Sequence, residues 1–380
     1  MAGALMPQAE LVDNEIWSST STDVGGIEKA LHRLRLSVRN DDDEGVPQQV
    51  TETAVLNIVV SAQTQQLLEE ACDIVAQLSQ RHPSRSIFFL REPEAADNLA
   101  ADVNAFCTFM PGAPRQVCCE QIRVTASGSY AQQLHSIARP LLLPDIPTFV
   151  WWRGQPPLAT PMYDRLREMA SRMVVDSSGF RGAFIELSRE ALQCQSAACA
   201  LSDLAWGRLE GWREQVARLF DPPDTRAYLA RLDSVHINTA TADYPTEAIL
   251  LLGWLAAQLS WRLDAPMEMH DDQWSCSFQG EGGPISCTIE GVAEEGLEGL
   301  PDTILSLELS GGGGSFTLTA DPSSSSLQQR ITIDGRVLTD GGIGMQAPAL
   351  LQVLSRELEL LERDAVYERA VAMGARLSGA

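Results

Sequence analysis

Short apolar runs alternate with helical-period segments through the first half of the chain. Val55–Val60 is a β-rich run, where ordered structure is expected to start. Gln65–Arg81 follows with Leu67, Leu68, Ala71, Ile74, Val75 and Leu78 at helical spacing. Ser86–Leu90 predicts a second strand, Glu94–Phe109 a helix ended by Pro111 and Gly112, and Cys119–Thr125 an alternating strand. Tyr130–Leu142 reads as a helix, Met162–Arg172 as another, and Met173–Asp176 as a strand. The most distinctive segment, Ser136–Gly154, begins inside the first of these two helices and ends before the second. Pro144 and Pro147 separate Leu141–Leu143 from Phe149–Trp152. Proline lacks an N–H and disfavours helix in the residue before it, so the helix is expected to stop near Leu142. Thr148–Trp152 is β-branched and aromatic, which suits a buried strand. Trp151 and Trp152 would point to opposite faces, so both faces need apolar cover, and Arg153 marks the strand's exit. Strands alternating with helices predict βαβ units.

The pattern changes near residue 180. A long helical region covers Glu190–Phe220 and ends at Pro222-Pro223; a second, Thr246–Leu263, starts after Pro245. Four or five short strands then run from Trp274 to Ile333, separated by turns such as Gly280–Pro284 and Gly311–Gly314, and a last helix spans Ala347 to about Met373. The fold class expected is therefore α/β: a Rossmann-like parallel-sheet domain over residues 52–180, then an α+β domain with a mainly antiparallel sheet over 181–380. Residues 1–51 carry the acidic run Asp41–Glu44 and one basic amphipathic turn, Lys29–Leu36. They are expected to form a flexible acidic arm, with that turn either a surface helix or a segment that orders on a partner.

Composition narrows the function. The chain has 380 residues, 44% apolar and 21% charged, with a net charge of −23, so a field-driven role on nucleic acid or an anionic membrane is not expected. The N-terminus has no basic region ahead of an apolar run, and Ala248–Trp261, the longest apolar segment, is too short to span a bilayer. Eight scattered cysteines without zinc-type spacing fit a reduced, cytoplasmic protein. Lys29 is the only lysine, which removes lysine-based covalent catalysis from nearly the whole chain.

Catalytic motifs are missing. Ser61-Ala62-Gln63 follows the first strand where a dinucleotide fingerprint would place glycines, and no Walker loop occurs. The five histidines show no HxxxH or HxxE spacing, so no metal is expected; His270 with Asp271 and Asp272 reads as a solvated loop. Nor is a cofactor expected. Alternation in Trp274–Phe278 and Ile285–Ile289 puts Cys276 and Cys287 on apolar faces of adjacent strands. Pairing about the intervening turn would set them opposite one another, either as a redox pair or as two small buried hydrophobes. In Leu201–Arg213, Leu201, Leu204, Ala205, Leu209 and Trp212 form an apolar stripe flanked by Asp203, Arg208 and Arg213. That face suits a protein interface or, equally, a core with structural arginine salt bridges.

Four segments in order, His82-Pro83-Ser84-Arg85, Arg139-Pro140 with Leu141–Gly154, Asp203–Asp221 and Leu251–Leu259, resemble the OpcA family of glucose-6-phosphate dehydrogenase assembly proteins. The resemblance covers about Thr51 to Leu263. It implies a non-catalytic protein that binds glucose-6-phosphate dehydrogenase, promotes its active oligomer and raises its activity, with a thioredoxin-linked redox control in cyanobacteria. By position in the matching motifs it nominates Arg85, Arg139, Asp145, Trp152, Arg153, Asp203, Trp206, Arg208, Trp212 and Arg213 as partner-binding residues. The competing reading is a sugar-phosphate sensor or enzyme, in which Arg85, Arg139 and Arg153 clamp a phosphate near the strand ends of the α/β domain.

Overall fold

The computed structural model describes residues 12–40, 54–109, 116–179, 184–196, 198–240, 244–271, 273–292, 303–321, 326–345, 348–360 and 362–379. The chain divides into two compact units. The first takes Met1–Val175, Ala197–Ala200 and Leu354–Leu361; the second takes Asp176–Ser196, Leu201–Val353 and Glu362–Ala380.

The first unit runs β1 (Val12–Ser19), α1 (Val24–Asn40), β2 (Leu56–Ala62), α2 (Gln65–Leu78), β3 (Ser84–Glu92), β4 (Asn98–Phe109), β5 (Gln116–Ser127), α3 (Leu134–Ala138), β6 (Thr148–Arg153), α4 (Pro161–Met169) and β7 (Arg172–Val175). Its sheet has the order β1-β4-β5-β3-β2-β6-β7; the next strand along the chain is β8 (Ala200–Asp203). β5, β3, β2, β6 and β7 pair in parallel, whereas β4 pairs antiparallel with both β5 and β1. All seven residues of β2 are buried, as a strand covered on both faces requires. Trp151 and Trp152 in neighbouring β6 are equally buried, at 1% and 0% exposure. The short strand Thr148–Arg153 is therefore central framework. The connection before it is pinned by Asn57 of β2, whose side chain donates to Leu143 O at 3.0 Å and accepts from Leu143 N at 2.9 Å.

Three expectations for this unit are corrected. Residues 12–40 are built into the fold. β1 pairs with β4, and α1 buries Ile27, Ala30, Leu31 and Leu34 at helical spacing. The polar composition hid this because the strand's partner lies some ninety residues downstream. The rest of the expected arm, 1–11 and 41–51, lies outside the described residues. Glu94–Phe109, expected as a helix, holds the strand β4: Leu99, Ala101, Val103 and Ala105 are buried on one face. Its alanines suit a helix individually, but the alternation wins. The helix expected over Tyr130–Leu142 is broken into two 3₁₀ turns around the five-residue α3.

The second unit contains α5 (Phe184–Ser196), α6 (Leu204–Arg208), α7 (Glu210–Leu219), α8 (Pro223–Arg226), β9 (Ser234–Thr239), α9 (Thr246–Gln258), β10 (Arg262–His270), β11 (Gln273–Gly280), β12 (Gly283–Gly291), β13 (Ile304–Gly311), β14 (Gly314–Asp321), β15 (Ser326–Ile333) and β16 (Arg336–Gly344). Two closing helices, α10 (Leu350–Glu359) and α11 (Ala365–Leu377), follow; residues 354–361 of that stretch lie in the first unit. The second sheet has the order β10-β11-β12-β9-β13-β14-β15-β16 and is antiparallel except for the β12–β9 pair. The fold class is thus the α/β arrangement expected, a mostly parallel sheet followed by a mostly antiparallel one. β9, β10 and β16 are strands that the apolar pattern did not reveal. The Gly311–Gly314 turn has Gly312 and Gly313 at φ 58° and 85°, a left-handed pair that fits the twist of a tight hairpin. The helical region expected over Glu190–Phe220 is interrupted by β8, and the closing helix is two helices. α9 lies against α11, where a Cβ on Gly253 would come within 2.6 Å of Ala370 O.

Candidate functional site

In the second unit, the motif residues are gathered by the start of α6. Asp203 caps that helix: its Oδ1 accepts from Ala205 N and Ser177 N, both at 3.0 Å, and its Oδ2 accepts from Tyr367 Oη at 3.2 Å. Burial pushes the Asp203 carboxyl up to about 6, against the hydrogen bonds from Ser177 and with help from nearby Asp176. Arg208, one turn on, grips Asp176 with both terminal nitrogens, at 2.7 and 3.0 Å, and donates from Nε to Glu247 Oε1 at 2.6 Å. Burial opposes the Asp176 carboxylate, but the Arg208 guanidinium and the Ser178 donors outweigh it and hold Asp176 below the usual carboxylate range. Trp206 donates from Nε1 to Asp364 Oδ2 at 2.8 Å, and Asp364 in turn caps α11 through Val366 N and Tyr367 N. Arg213 lies over the Trp206 ring at 3.4 Å and donates to Trp206 O at 2.6 Å.

Asp203, Trp206, Arg208 and Arg213 therefore form one network, joined by Asp176, Glu247, Asp364 and Tyr367. Trp212 is separately buried, at 6% exposure. Of the two readings left open for this motif, the structure realises the core with structural arginine pairs. Burial raises the Asp203 titration toward neutrality, yet the residue is 1% exposed and enclosed by its donors, so it has no access to a substrate. Sequence reasoning missed Asp176, Glu247, Asp364 and Tyr367, because acidic residues abound and nothing local marks which of them meet an arginine.

In the first unit, Arg85 is 5% exposed, ion-paired with Glu120 and donating to Leu141 O at 3.0 Å. Arg153 pairs with Glu70 at 2.7 Å and lies over the Trp151 ring at 5.2 Å. The expected phosphate clamp of Arg85, Arg139 and Arg153 is thus not assembled; two of its members are already engaged by carboxylates. Trp152 donates to Gln155 O at 3.1 Å and packs on Tyr163 with ring centroids 6.0 Å apart. Asp145 is exposed at a left-handed turn position, φ 63°, which aspartate tolerates better than most residues. Arg139 is exposed, in a cleft with His135, Arg165, Glu168 and Met169.

Cys276 and Cys287 sit directly opposite in the β11–β12 pair, both buried and both free thiols. The hydrogen bond between them and their burial push the Cys287 thiol up, so little thiolate is present at neutral pH. Among the described residues no group of three or more His, Cys, Asp or Glu side chains could hold a metal ion, and no helix is long and apolar enough to cross a membrane.

A family model described as glucose-6-phosphate dehydrogenase subunit N-terminal domain matches residues 75–191, and one described as the C-terminal domain of that subunit matches 199–371. The chain is 26% identical over 331 residues to a Synechocystis protein that carries the provisional name OxPP cycle protein OpcA, covering 80% of this chain and 65% of that one. It is 30% identical over 190 residues to a Nostoc punctiforme protein of the same name, covering 50% and 40%. The chain therefore spans less than two thirds of the length of these curated relatives. Among solved structures it aligns with an aldose-aldose oxidoreductase from Caulobacter crescentus at 11% identity and a TM-score of 0.42, covering 85% and 98%, a likeness too slight to bear on chemistry.

Proposed function

The chain belongs to the OpcA family of glucose-6-phosphate dehydrogenase assembly proteins, and from that membership we propose that it binds this dehydrogenase, promotes its active oligomer and carries out no reaction of its own. The observation that supports this reading is the fate of the motif side chains. Arg213 bonds to Trp206, Trp206 and Arg208 bond to neighbouring acids, and Asp203 is enclosed by its own donors, so these side chains are taken up inside the fold and do not line an open reactive cleft.

An activator must bind the active state of its partner more tightly than the inactive one. A coupling of about 1–3 kcal/mol would change the enzyme's substrate affinity about 5- to 150-fold. The assay adds the purified chain to purified dehydrogenase and follows glucose 6-phosphate saturation together with oligomer mass by light scattering. A lower KM, a higher kcat or a larger oligomer is expected; no change in any of these at saturating chain refutes the proposal. Redox linkage, where it acts on this chain, would rest on Cys276 and Cys287, with thioredoxin as the reductant.

A further inference from the structure

In a chain with 51 acidic and 28 basic residues, most of the motif arginines are held by carboxylates. Arg139, and Arg165 outside the motifs, stand apart from these. Both are exposed, and among the described residues neither guanidinium has a hydrogen-bond or ion-pair partner. They line one cleft of about 240 Å³ with His135, Glu168 and Met169, formed where α3 and its following turn meet α4. His135 adds to the imbalance. Its Nε2 lies 3.0 Å from Ser136 Oγ, but its Nδ1 is buried without a partner. Burial first, then the positive charge of Arg165 and Arg139, hold this imidazole below its usual range, with Glu168 opposing them. Two like charges in one concavity are an arrangement that a bound anion would relieve.

We infer that this cleft binds a small hydroxyl-bearing phosphate ester. The terminal oxygens of a phosphate monoester can accept from both arginine forks at once, a richer match than the two oxygens of a carboxylate. Planar guanidinium groups are well suited to that geometry. Glu168 cannot contact the phosphate favourably; it is placed to accept from hydroxyl groups on the remainder of the molecule, and Met169 supplies an apolar wall for its carbon skeleton. The volume lies just under the common range for ligand pockets, about 300–1,000 Å³, and suits a single sugar-sized ligand better than a dinucleotide. This site is separate from the buried Arg208 network and does not rest on the assembly reading.

Isothermal titration calorimetry on the full chain, at constant ionic strength, tests it with inorganic phosphate, glucose 6-phosphate and glucose as probes. Both phosphate-bearing probes are expected to bind and glucose to give no heat. The double variant R139Q/R165Q should lose phosphate affinity by at least about tenfold, with its thermal midpoint unchanged because neither side chain supports the fold. E168Q should bind inorganic phosphate more tightly than the parent, since it removes a like charge; a merely structural role would not produce that gain. No heat from either phosphate probe, or equal affinity in R139Q/R165Q, overturns the inference. The dehydrogenase is absent from this assay, so its outcome is independent of the assembly proposal. If R139Q/R165Q instead weakens capture of the dehydrogenase while phosphate stays silent, the cleft is a contact for acidic protein surface and the inference falls.

Discussion

Replacing Arg208 by methionine keeps much of the side chain's volume and removes its charge, which isolates what the guanidinium does. The parent residue satisfies Asp176 with two hydrogen bonds and Glu247 with a third. Without it both carboxylates lose the cation that they share. At an effective dielectric of about 20, a unit charge pair about 4 Å apart is worth about 4 kcal/mol, and desolvation cancels part of that. Breaking a buried ion pair by removing one partner costs about 3–5 kcal/mol. Arg208 and Asp176 are 22% and 24% exposed while Glu247 is 8% exposed, so water relieves the first pair more than the second. We therefore expect R208M to destabilise the second unit by about 3 kcal/mol, near the lower end of that span. R208K keeps the charge but loses the two-pronged grip, and should cost about 1–2 kcal/mol. Urea unfolding followed by tryptophan fluorescence reads the effect as a midpoint lowered by about 1–2 M for a slope of about 2 kcal/mol/M. The double variant D176N/R208M should lose less than the two single variants summed, because each removes part of the same interaction. A midpoint for R208M within about 0.3 M of the parent would refute the reasoning, since it would mean that water already screens the cluster completely.

Asp203 gives a pH signature. Its folded-state carboxyl is raised from 3.8 to about 6, so its contribution favours the folded state most below pH 4 and is lost as pH rises to 6, an effect of about 3 kcal/mol. Asp176, shifted the opposite way, acts only below pH 4. D203N retains an oxygen for Ser177 N and Ala205 N and offers its amide to Tyr367, so it should flatten the slope between pH 4 and 6 and be neutral to stabilising at pH 7.5; an unchanged slope would assign the titration elsewhere. R85A should destabilise the first unit by about 3–5 kcal/mol in urea titrations, because it removes the buried guanidinium that pairs with Glu120 and donates to Leu141 O. D364A removes both the α11 cap and the partner of Trp206 Nε1, and a loss of about 1–2 kcal/mol is expected in the same assay, with a change below about 0.3 kcal/mol counting against the cap. Under prolonged diamide treatment Cys276 and Cys287, directly opposite in the hairpin, should be joined, detected as a linked peptide by mass spectrometry; free labelling of both after full oxidation would show that the pair stays reduced.

Elements with short-range logic were legible in the residues. Val55–Val60, the Gln65 helix and Phe149–Trp152 carry their own periodicity or β-branched density, and they became β2, α2 and β6. The Cys276–Cys287 register was legible for the same reason: a hairpin pairs residues symmetrically about a nearby turn, so its partners follow from counting. β1 and β9 were not: each is a strand only because a distant strand completes its hydrogen bonds, as β9 is completed by β12 on one side and β13 on the other.

The candidate site divides along the same line. The sequence determined which residue types the Asp203–Arg213 motif holds and which family they mark. Tertiary structure decided that Arg208 meets Asp176, that Tyr367 reaches Asp203 from 164 positions away, and that Arg85 and Arg153 are taken by carboxylates while Arg139 is left open. The physical reason is that periodicity acts over a few residues of backbone, whereas the pairing and desolvation of a charge depend on whatever folding brings within a few ångströms of it.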